Sequence, residues 1–250
     1  MKQPRGVAID LGSARTRVWT PTGRLVVDTR TRRGLVSRGK VLDREGVSTL
    51  VGAAVASREP ELARGPRPIG ARPVGARTAV VTTPVLCDDA HRDDLRAVLH
   101  ALGVTTVVLI DAVKAAAFGA RADVTEPLLV VDLGAQLTEI ALLGGGCVVE
   151  ARRIPLGLDD ARTVVPIVEV VADTILELLR GPYGPQLVDA LDRGVLLVGG
   201  GALRPEITYK LSYRLGASAR PAPAPHTAAV RGAATALQAT HRHPSTPTPH

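Results

Sequence analysis

The sequence predicts an α/β protein whose second half repeats the organisation of its first. Three observations predict it: strands alternate with helices, the order of elements in the first half returns in the second, and each half contains an apolar strand ending in Asp-Leu-Gly. These motifs are VAIDLGSARTRVW, Val7 to Trp19, and LLVVDLGAQLTEIALL, Leu128 to Leu143. With 250 residues, 45% of them apolar, the chain can form one large domain or two small ones.

The first half is predicted to contain three strands, then a helix, a strand and another helix. GVAID, TRVWT and RLVVDT are rich in β-branched residues and are separated by turn residues, so we predict three strands. A fourth strand is predicted at TAVVTTP, followed by a helix at DDAHRDDLRAVLHALG, whose apolar residues have helical spacing. A strand at VTTVVLI and an alanine-rich helix at residues 111–122 complete this half. The intervening stretch, residues 31–77, is rich in Arg, Gly and Pro and contains one candidate helix, Arg44 to Ala56.

The second half repeats this order. After the hairpin at Leu128 to Leu143 comes the strand CVVEARRIP, and residues 161–181 are predicted as one helix with Pro166 in its first turn. A short helix is predicted at YGPQLVDALDRG. It is followed by a strand, a glycine turn and a helix in VLLVGGGALRPEITYKLSYRLG, and by the last helix at residues 226–239. Residues 241–250 contain no core-forming side chains, so a disordered tail is predicted there.

Composition limits the partners that the chain can have. The net charge is +7, and much of the excess of arginine lies before residue 80, where it forms either a solvated loop or a contact for an anionic membrane surface, a nucleic acid or an acidic partner. The chain has 1 Trp, 3 Tyr and 1 Phe, too few for base stacking, so no specific nucleic acid is expected. Cys87 and Cys147 have no metal-ligand spacing and are expected to be free thiols. No transmembrane segment or secretory signal is present in the sequence, so a cytoplasmic location is expected.

Each Asp-Leu-Gly motif has the chemistry of a phosphate-binding turn. Glycine lets the backbone turn sharply and lets a ligand approach, and the N–H groups that follow can hold phosphate oxygens. The carboxylates of Asp10 and Asp132 can hold Mg²⁺ through water, and the metal neutralises the phosphates. Two such turns facing each other across a cleft would hold a nucleotide's phosphates from both sides, and the three glycines after VLLV would receive the nucleoside.

For either motif alone, the alternative is a strand turn in which glycine bends the chain and aspartate caps it. Arg15 either adds positive charge at the phosphates or points to solvent. The candidate ligand-binding residues are Asp10, Gly12, Ser13, Ala14, Arg15, Asp132, Gly134, Ala135, Gly199, Gly200 and Gly201.

Taken together, these motifs resemble those of the actin–Hsp70–sugar-kinase ATPase superfamily, and within it those of the bacterial rod-shape actins, the MreB family. VAIDLGSARTRVW resembles the phosphate-1 loop, LLVVDLGAQLTEIALL the phosphate-2 loop, and GVLLVGGGALRPEI the adenosine motif. The resemblance implies a duplicated actin-like (ribonuclease H-like) fold, in which two subdomains, each a mixed sheet with flanking helices, enclose a nucleotide cleft. It implies subdomain IA for residues 1–126 plus 225–240, subdomain IIA for residues 127–224, and ATP with Mg²⁺ as cofactors.

The chain departs from this family first in its length. The Pro- and Arg-rich loop at residues 57–77 is too short for the usual subdomain IB and is expected to replace it. The predicted helices use all of residues 155–194, which leaves no room for subdomain IIB.

The chain also departs from the family in the expected ATP site. The family's phosphate-2 loop, Asp-x-Gly-Gly-Gly-Thr, is here Asp-Leu-Gly-Ala-Gln-Leu, so Gln136 and Leu137 add bulk where the backbone approaches phosphate. Ala112 stands where the family has its catalytic glutamate, and Asp111 could replace that glutamate only if the backbone shifted by one residue. We therefore expect ATP binding to be weak or absent and hydrolysis to be slow or absent.

Two functions follow from the resemblance. The first is a cytoskeletal or scaffold protein linked to cell shape or cell-wall synthesis. Its partners would be other bacterial actins or cell-wall machinery, it could self-associate, and any membrane location would be peripheral and through these partners. The alternative is a small ATPase or phosphotransferase of the same superfamily, which would need a carboxylate base facing the cleft and a substrate-binding insertion.

Overall fold

A computed structural model describes residues 6–21, 26–57 and 78–240 of the chain, and it confirms the predicted α/β architecture. The first half contains β1 (Gly6–Leu11), β2 (Arg15–Trp19), β3 (Val26–Arg30), β4 (Val36–Ser37), β5 (Lys40–Val41), α1 (Arg44–Ala56), β6 (Thr78–Thr83), α2 (Asp89–Ala101), β7 (Thr106–Asp111) and α3 (Ala112–Ala120). The second half contains β8 (Leu128–Leu133), β9 (Thr138–Gly144), β10 (Cys147–Ile154), α4 (Val165–Leu178), α5 (Gly184–Arg193), β11 (Val195–Val198), α6 (Pro205–Leu215), β12 (Ala219–Pro221) and α7 (Ala228–Thr240).

The two large sheets have the same topology. The first has the strand order β3-β2-β1-β6-β7, and the second has the order β10-β9-β8-β11-β12. In each sheet the first three strands pair antiparallel and the last two are added in parallel. This correspondence is the internal duplication that the sequence predicts.

Helices cover both faces of each sheet. Because successive side chains of a strand point to opposite faces, Val7 and Ile9 pack under α1 and α2, whereas Ala8 packs under α7. In the second sheet, Leu129 and Val131 pack against α4, α5 and α6, whereas the opposite face packs against α3. The two central helices, α3 and α7, therefore lie between the sheets.

Glycines let α3 and α7 cross with their backbones in contact. A Cβ atom on Gly232 would lie 1.6 Å from the carbonyl oxygen of Ala115, and a Cβ atom on Gly119 would lie 1.9 Å from that of Ala228. No side chain fits between the two helices at this point. The crossing joins the two halves of the molecule and forms the floor of the space between the sheets.

Two local features lie where the sequence predicts them, and three short strands are additional. Helix α1 spans the candidate segment Arg44–Ala56, and Pro166 lies in the first turn of α4 as predicted. The β4–β5 hairpin and strand β12 are not predicted by the sequence analysis.

Only α4 and α5 lie between β10 and β11, and both pack on the second sheet, so residues 155–194 contain no additional subdomain. Apart from Ser57, the predicted loop at 57–77 lies outside the described residues, as does the predicted tail at 241–250. The subdomain boundaries stay a prediction. Across the described ranges, no helix is both long enough and apolar enough to cross a membrane.

Candidate functional site

A cavity of about 300 Å³ lies between the two sheets, where the two Asp-Leu-Gly turns face each other. Its volume is at the lower end of the range of small-molecule sites. Most of the residues proposed from the sequence line it: Asp10, Gly12, Ser13, Ala14, Arg15, Asp132, Gly134, Ala135, Gly199 and Gly200. Gly201 lies behind this lining, where a Cβ atom would be 2.6 Å from the Cβ atom of Leu133.

The two turns are closed by equivalent backbone hydrogen bonds. The N–H of Gly12 donates to the carbonyl oxygen of Arg15 at 3.1 Å, and the N–H of Gly134 donates to that of Leu137 at 2.9 Å. A Cβ atom on Gly12 would lie 2.9 Å from the same oxygen of Arg15, and one on Gly134 would lie 2.6 Å from that of Leu137, so glycine is required in both turns. Within the described residues, no group accepts a hydrogen bond from the N–H groups of Ser13, Ala14, Ala135 and Gln136. These donors are therefore available to an anion.

Asp10 is held in position by two side chains that the sequence analysis does not identify. The hydroxyl of Thr82 donates to Oδ1 of Asp10 at 2.8 Å, and Nη1 of Arg17 lies 3.4 Å from Oδ2. Asp10 and Arg17 are directly opposite each other in the antiparallel pair of β1 and β2. The hairpin register could have identified Arg17, because opposite residues in such a pair have neighbouring side chains.

Arg15 forms an ion pair within the first sheet. Its Nε atom lies 2.7 Å from Oδ1 of Asp28, and its Nη2 atom donates to the backbone oxygen of Asp28 at 3.3 Å. Arg17 contacts the same carboxylate, with Nε 3.3 Å from Oδ2. Arg15 therefore lines the cavity as an exposed side chain whose charge is paired, and its contact with phosphate stays a prediction.

Two carboxyl groups of the second sheet face the cavity, those of the half-buried Asp132 and of the buried Glu139. Burial raises the pKa of Asp132 to about 7; the charge of Asp10 raises it further and Arg17 opposes the rise. Glu139 lies opposite Asp132 in the β8–β9 pair, and burial raises its pKa to about 8, with the charge of Asp132 adding to the effect. Oε1 of Glu139 accepts the N–H of Val85, from the first half, at 2.6 Å. A cation between the sheets would favour the ionised form of both groups.

Glu139 lies in β9, directly after the second Asp-Leu-Gly turn, and is not among the residues that the sequence predicts for the site. Within the described ranges, no three or more His, Cys, Asp and Glu side chains form a group that could hold a metal ion. Binding of Mg²⁺ by Asp10 and Asp132 through water molecules stays a prediction.

The first turn of α3 presents a methyl group to the cavity. Ala112 is part of the lining, whereas Asp111 lines a different cavity together with Arg92 and Lys114. Burial raises the pKa of Asp111, and the charges of Arg92 and Lys114 partly oppose this. Asp111 and Ala112 thus face different cavities, and the carboxyl group is the one outside the cleft.

Gln136 and Leu137, which are expected to crowd the second turn, contact the β4–β5 hairpin of the other half. Oε1 of Gln136 accepts the hydroxyl of Ser37 at 3.2 Å and the N–H of Arg38 at 3.4 Å. A Cβ atom on Gly39 would lie 3.2 Å from Cδ2 of Leu137. Leu137 lines the cavity, but Gln136 is directed toward the hairpin. The hairpin therefore connects the two halves across the opening of the cleft.

Comparison with known proteins identifies the architecture. Residues 69–165 match the family model described as MreB/Mbl protein, and no curated protein sequence matches the chain. The structure of MreB5 of Spiroplasma citri bound to ADP superposes with a TM-score of 0.76 at 14% identity, covering 95% of this chain and 98% of that one.

Two other solved structures have the same fold. The ethanolamine utilization protein EutJ from Carboxydothermus hydrogenoformans superposes with a TM-score of 0.68 at 21% identity, covering 94% of this chain and 90% of that one. The structure described as the MamK double helical filament superposes with a TM-score of 0.66 at 15% identity, covering 96% of this chain and 100% of that one.

Proposed function

We propose that this actin-like chain is a cytoskeletal or scaffold protein that binds Mg-ATP in its cleft. The match of residues 69–165 to the MreB/Mbl family model supports this. One observation carries the proposal: two turns closed by the same backbone hydrogen bond, with free N–H donors, face one cavity together with the turn at Gly199 and Gly200. A role in cell shape or cell-wall synthesis follows from the family resemblance.

The residues of the cleft fit a nucleotide in two respects, and a protein of the same fold supports this. The open N–H groups of Ser13 and Ala14 on one side, and of Ala135 on the other, suit phosphate oxygens. Asp10 and Asp132 are the carboxylates that would hold Mg²⁺ through water, and the metal would neutralise phosphate charge. MreB5 of Spiroplasma citri, which has this fold, has been crystallised with ADP and with AMPPNP.

We further propose that hydrolysis is slow or absent. Ala112 has no group that can orient or deprotonate water, and Asp111 faces a different cavity. Phosphoryl transfer depends on positioning and on charge stabilisation. Free donors in both turns support binding, whereas the methyl group of Ala112 leaves the first turn of α3 without a base.

The proposed partners are copies of this chain, other bacterial actins or cell-wall machinery. The MamK structure of the same fold is described as a double helical filament, which supports self-association. We propose a cytoplasmic location, with any membrane contact made through these partners.

A second function, a small ATPase or phosphotransferase, is favoured by Glu139. Its carboxyl group lines the cavity, and its ionised form could accept a proton from an attacking water. Phosphate release by the wild type that is lost in Glu139→Gln, with ATP affinity retained, would support this function over the first.

Isothermal titration with Mg-ATP tests the proposal. We expect measurable binding by the wild type, loss of binding in Asp10→Ala, and unchanged binding in Asp93→Ala, whose side chain is exposed on α2 and distant from the lining. No heat at millimolar ATP would overturn nucleotide binding and leave only the scaffold role. Sedimentation with and without nucleotide tests self-association separately.

A further inference from the structure

One polar atom of the cleft has no partner in the fold. Nδ1 of His226 is buried without a hydrogen bond, and it is the sole side-chain nitrogen or oxygen in this condition among the residues that the structure describes. His226 lines the same cavity as Asp132, Gly199 and Gly200. Buried polar groups are almost always paired, because an unpaired one has lost its water without a replacement. The atom therefore requires an explanation.

The backbone places His226 beside the glycine turn. The N–H of Gly199 donates to the carbonyl oxygen of Pro225, the residue before His226, at 3.1 Å. Gly199 itself has a φ of +80°, and a Cβ atom there would lie 2.2 Å from Oδ1 of Asp132. His226 is thus next to the turn at which the nucleoside is proposed to bind, and this turn adjoins Asp132 of the second phosphate-binding turn.

Arg231 holds the segment before α7 in one conformation. Its Nη1 atom donates to the carbonyl oxygen of Ala224 at 3.2 Å and to the hydroxyl of Thr227 at 2.8 Å. Its Nη2 atom donates to the carbonyl oxygen of Gly119 at 3.0 Å and also to that of Pro223. Ala224 has a φ of +44°, a left-handed conformation that a non-glycine residue keeps only where its surroundings impose it. The guanidinium therefore fixes the loop that carries the histidine.

We propose that His226 recognises the nucleoside, with Nδ1 hydrogen-bonded to a polar atom of the base or ribose. A histidine ring nitrogen can donate or accept, according to its tautomer, so either kind of polar atom satisfies it. The inference rests on the proposed binding of ATP. It adds the residue that distinguishes a nucleotide from a bare polyphosphate.

Titration calorimetry of three proteins with two ligands tests this. Wild type, His226→Leu and His226→Asn are titrated with Mg-ATP and with Mg-tripolyphosphate, which has no nucleoside. His226→Leu should bind ATP about tenfold more weakly, the effect of one lost hydrogen bond, and should bind tripolyphosphate as the wild type does. His226→Asn has a polar atom near the position of Nδ1 and should recover most of the ATP affinity.

Unchanged ATP affinity in His226→Leu would overturn the inference and leave the proposed function intact. Equal weakening for both ligands would assign the contact to phosphate and overturn it as well. Absence of ATP binding by the wild type would overturn the proposed function and this inference together. Should the leucine variant misfold, the ¹⁵N signal of His226 Nδ1 in the wild type decides, since it should shift with ATP and not with tripolyphosphate.

Discussion

Replacing Gly232 by alanine perturbs the point where the two halves are joined. The new Cβ atom would lie 1.6 Å from the carbonyl oxygen of Ala115 and 2.4 Å from its carbonyl carbon. Carbon and oxygen atoms pack at about 3.5 Å, so α3 and α7 must separate by about 2 Å. Because the opposing atoms belong to the backbone, no change of rotamer relieves the clash.

The size of the effect can be worked out from two opposing contributions. Overpacking costs about 1–3 kcal/mol, and a clash with backbone belongs at the upper end, about 3 kcal/mol. Alanine in a helix is favoured over glycine by about 1 kcal/mol, which leaves a net loss of about 2 kcal/mol in the free energy of unfolding. For a chain of this size, each kcal/mol lowers Tm by about 2–4 °C, so Gly232→Ala should melt about 4–8 °C below the wild type.

Thermal melts followed by circular dichroism measure this difference. Gly52→Ala is the matched control, since that glycine is also helical and its Cβ atom would meet only the flexible end of Leu102, at 3.1 Å. The control should melt at or above the wild-type temperature. A Gly232→Ala protein that melts with the wild type would refute the close crossing of α3 and α7. Since Ala116 and Ala229 of these helices line the cavity, the variant should also bind Mg-ATP more weakly.

Three further predictions concern the cleft. With the pKa of Glu139 raised to about 8 and that of Asp132 to about 7, the folded chain binds more protons than the unfolded chain from about pH 4 upward, so its stability falls as pH rises to about 8. Glu139→Gln keeps an acceptor for the N–H of Val85 but cannot ionise. The Tm of this variant minus that of the wild type should therefore increase between pH 5 and pH 8, and a difference that stays the same across this range would contradict the prediction. Ala112→Glu places a carboxylate in the cavity and should raise phosphate release at least about tenfold, whereas Ala112→Gln should not; equal rates would show that the missing base is not what limits hydrolysis. Gln136→Ala removes the acceptor of Ser37 and should cost about 1 kcal/mol in urea melts, with no additional loss in the double variant with Ser37→Ala; additive losses would mean that the two residues act independently.

Features that depend on neighbouring residues could be predicted from the sequence. The strands of both halves follow from local runs of β-branched residues between turn residues. Helix α1 could be found within an irregular stretch because its pattern is helical, and Asp43 caps it by accepting the N–H of Gly46. The β4–β5 hairpin has strands of two residues each and no apolar run, so no periodicity indicates it. β12 has only three residues and includes Pro221.

The residues of the site also fall into two groups, those that a local sequence pattern predicts and those that it does not. Asp10, Gly12, Asp132 and Gly134 are predictable because each lies at the end of a strand in a recognisable turn. Thr82 reaches the cleft from a parallel neighbour of β1, and His226 reaches it from the segment before the last helix. Their positions depend on how distant segments meet, which no local pattern encodes.

Gln136 shows that a departure from a family motif can also add a contact. In the sequence it adds bulk to a loop expected to approach phosphate, and the expected consequence is weaker binding. In the structure its side chain is directed away from the cavity and bonds to the hairpin of the opposite half, while its N–H stays free. Arg153 of the second half strengthens the same connection by donating to the carbonyl oxygen of Arg38 at 3.0 Å. A ligand changes a conformational equilibrium only by its difference in affinity for the two states. These contacts hold the two halves together without nucleotide. We therefore expect ATP binding to change the arrangement of the two halves only slightly, even where ATP binds tightly.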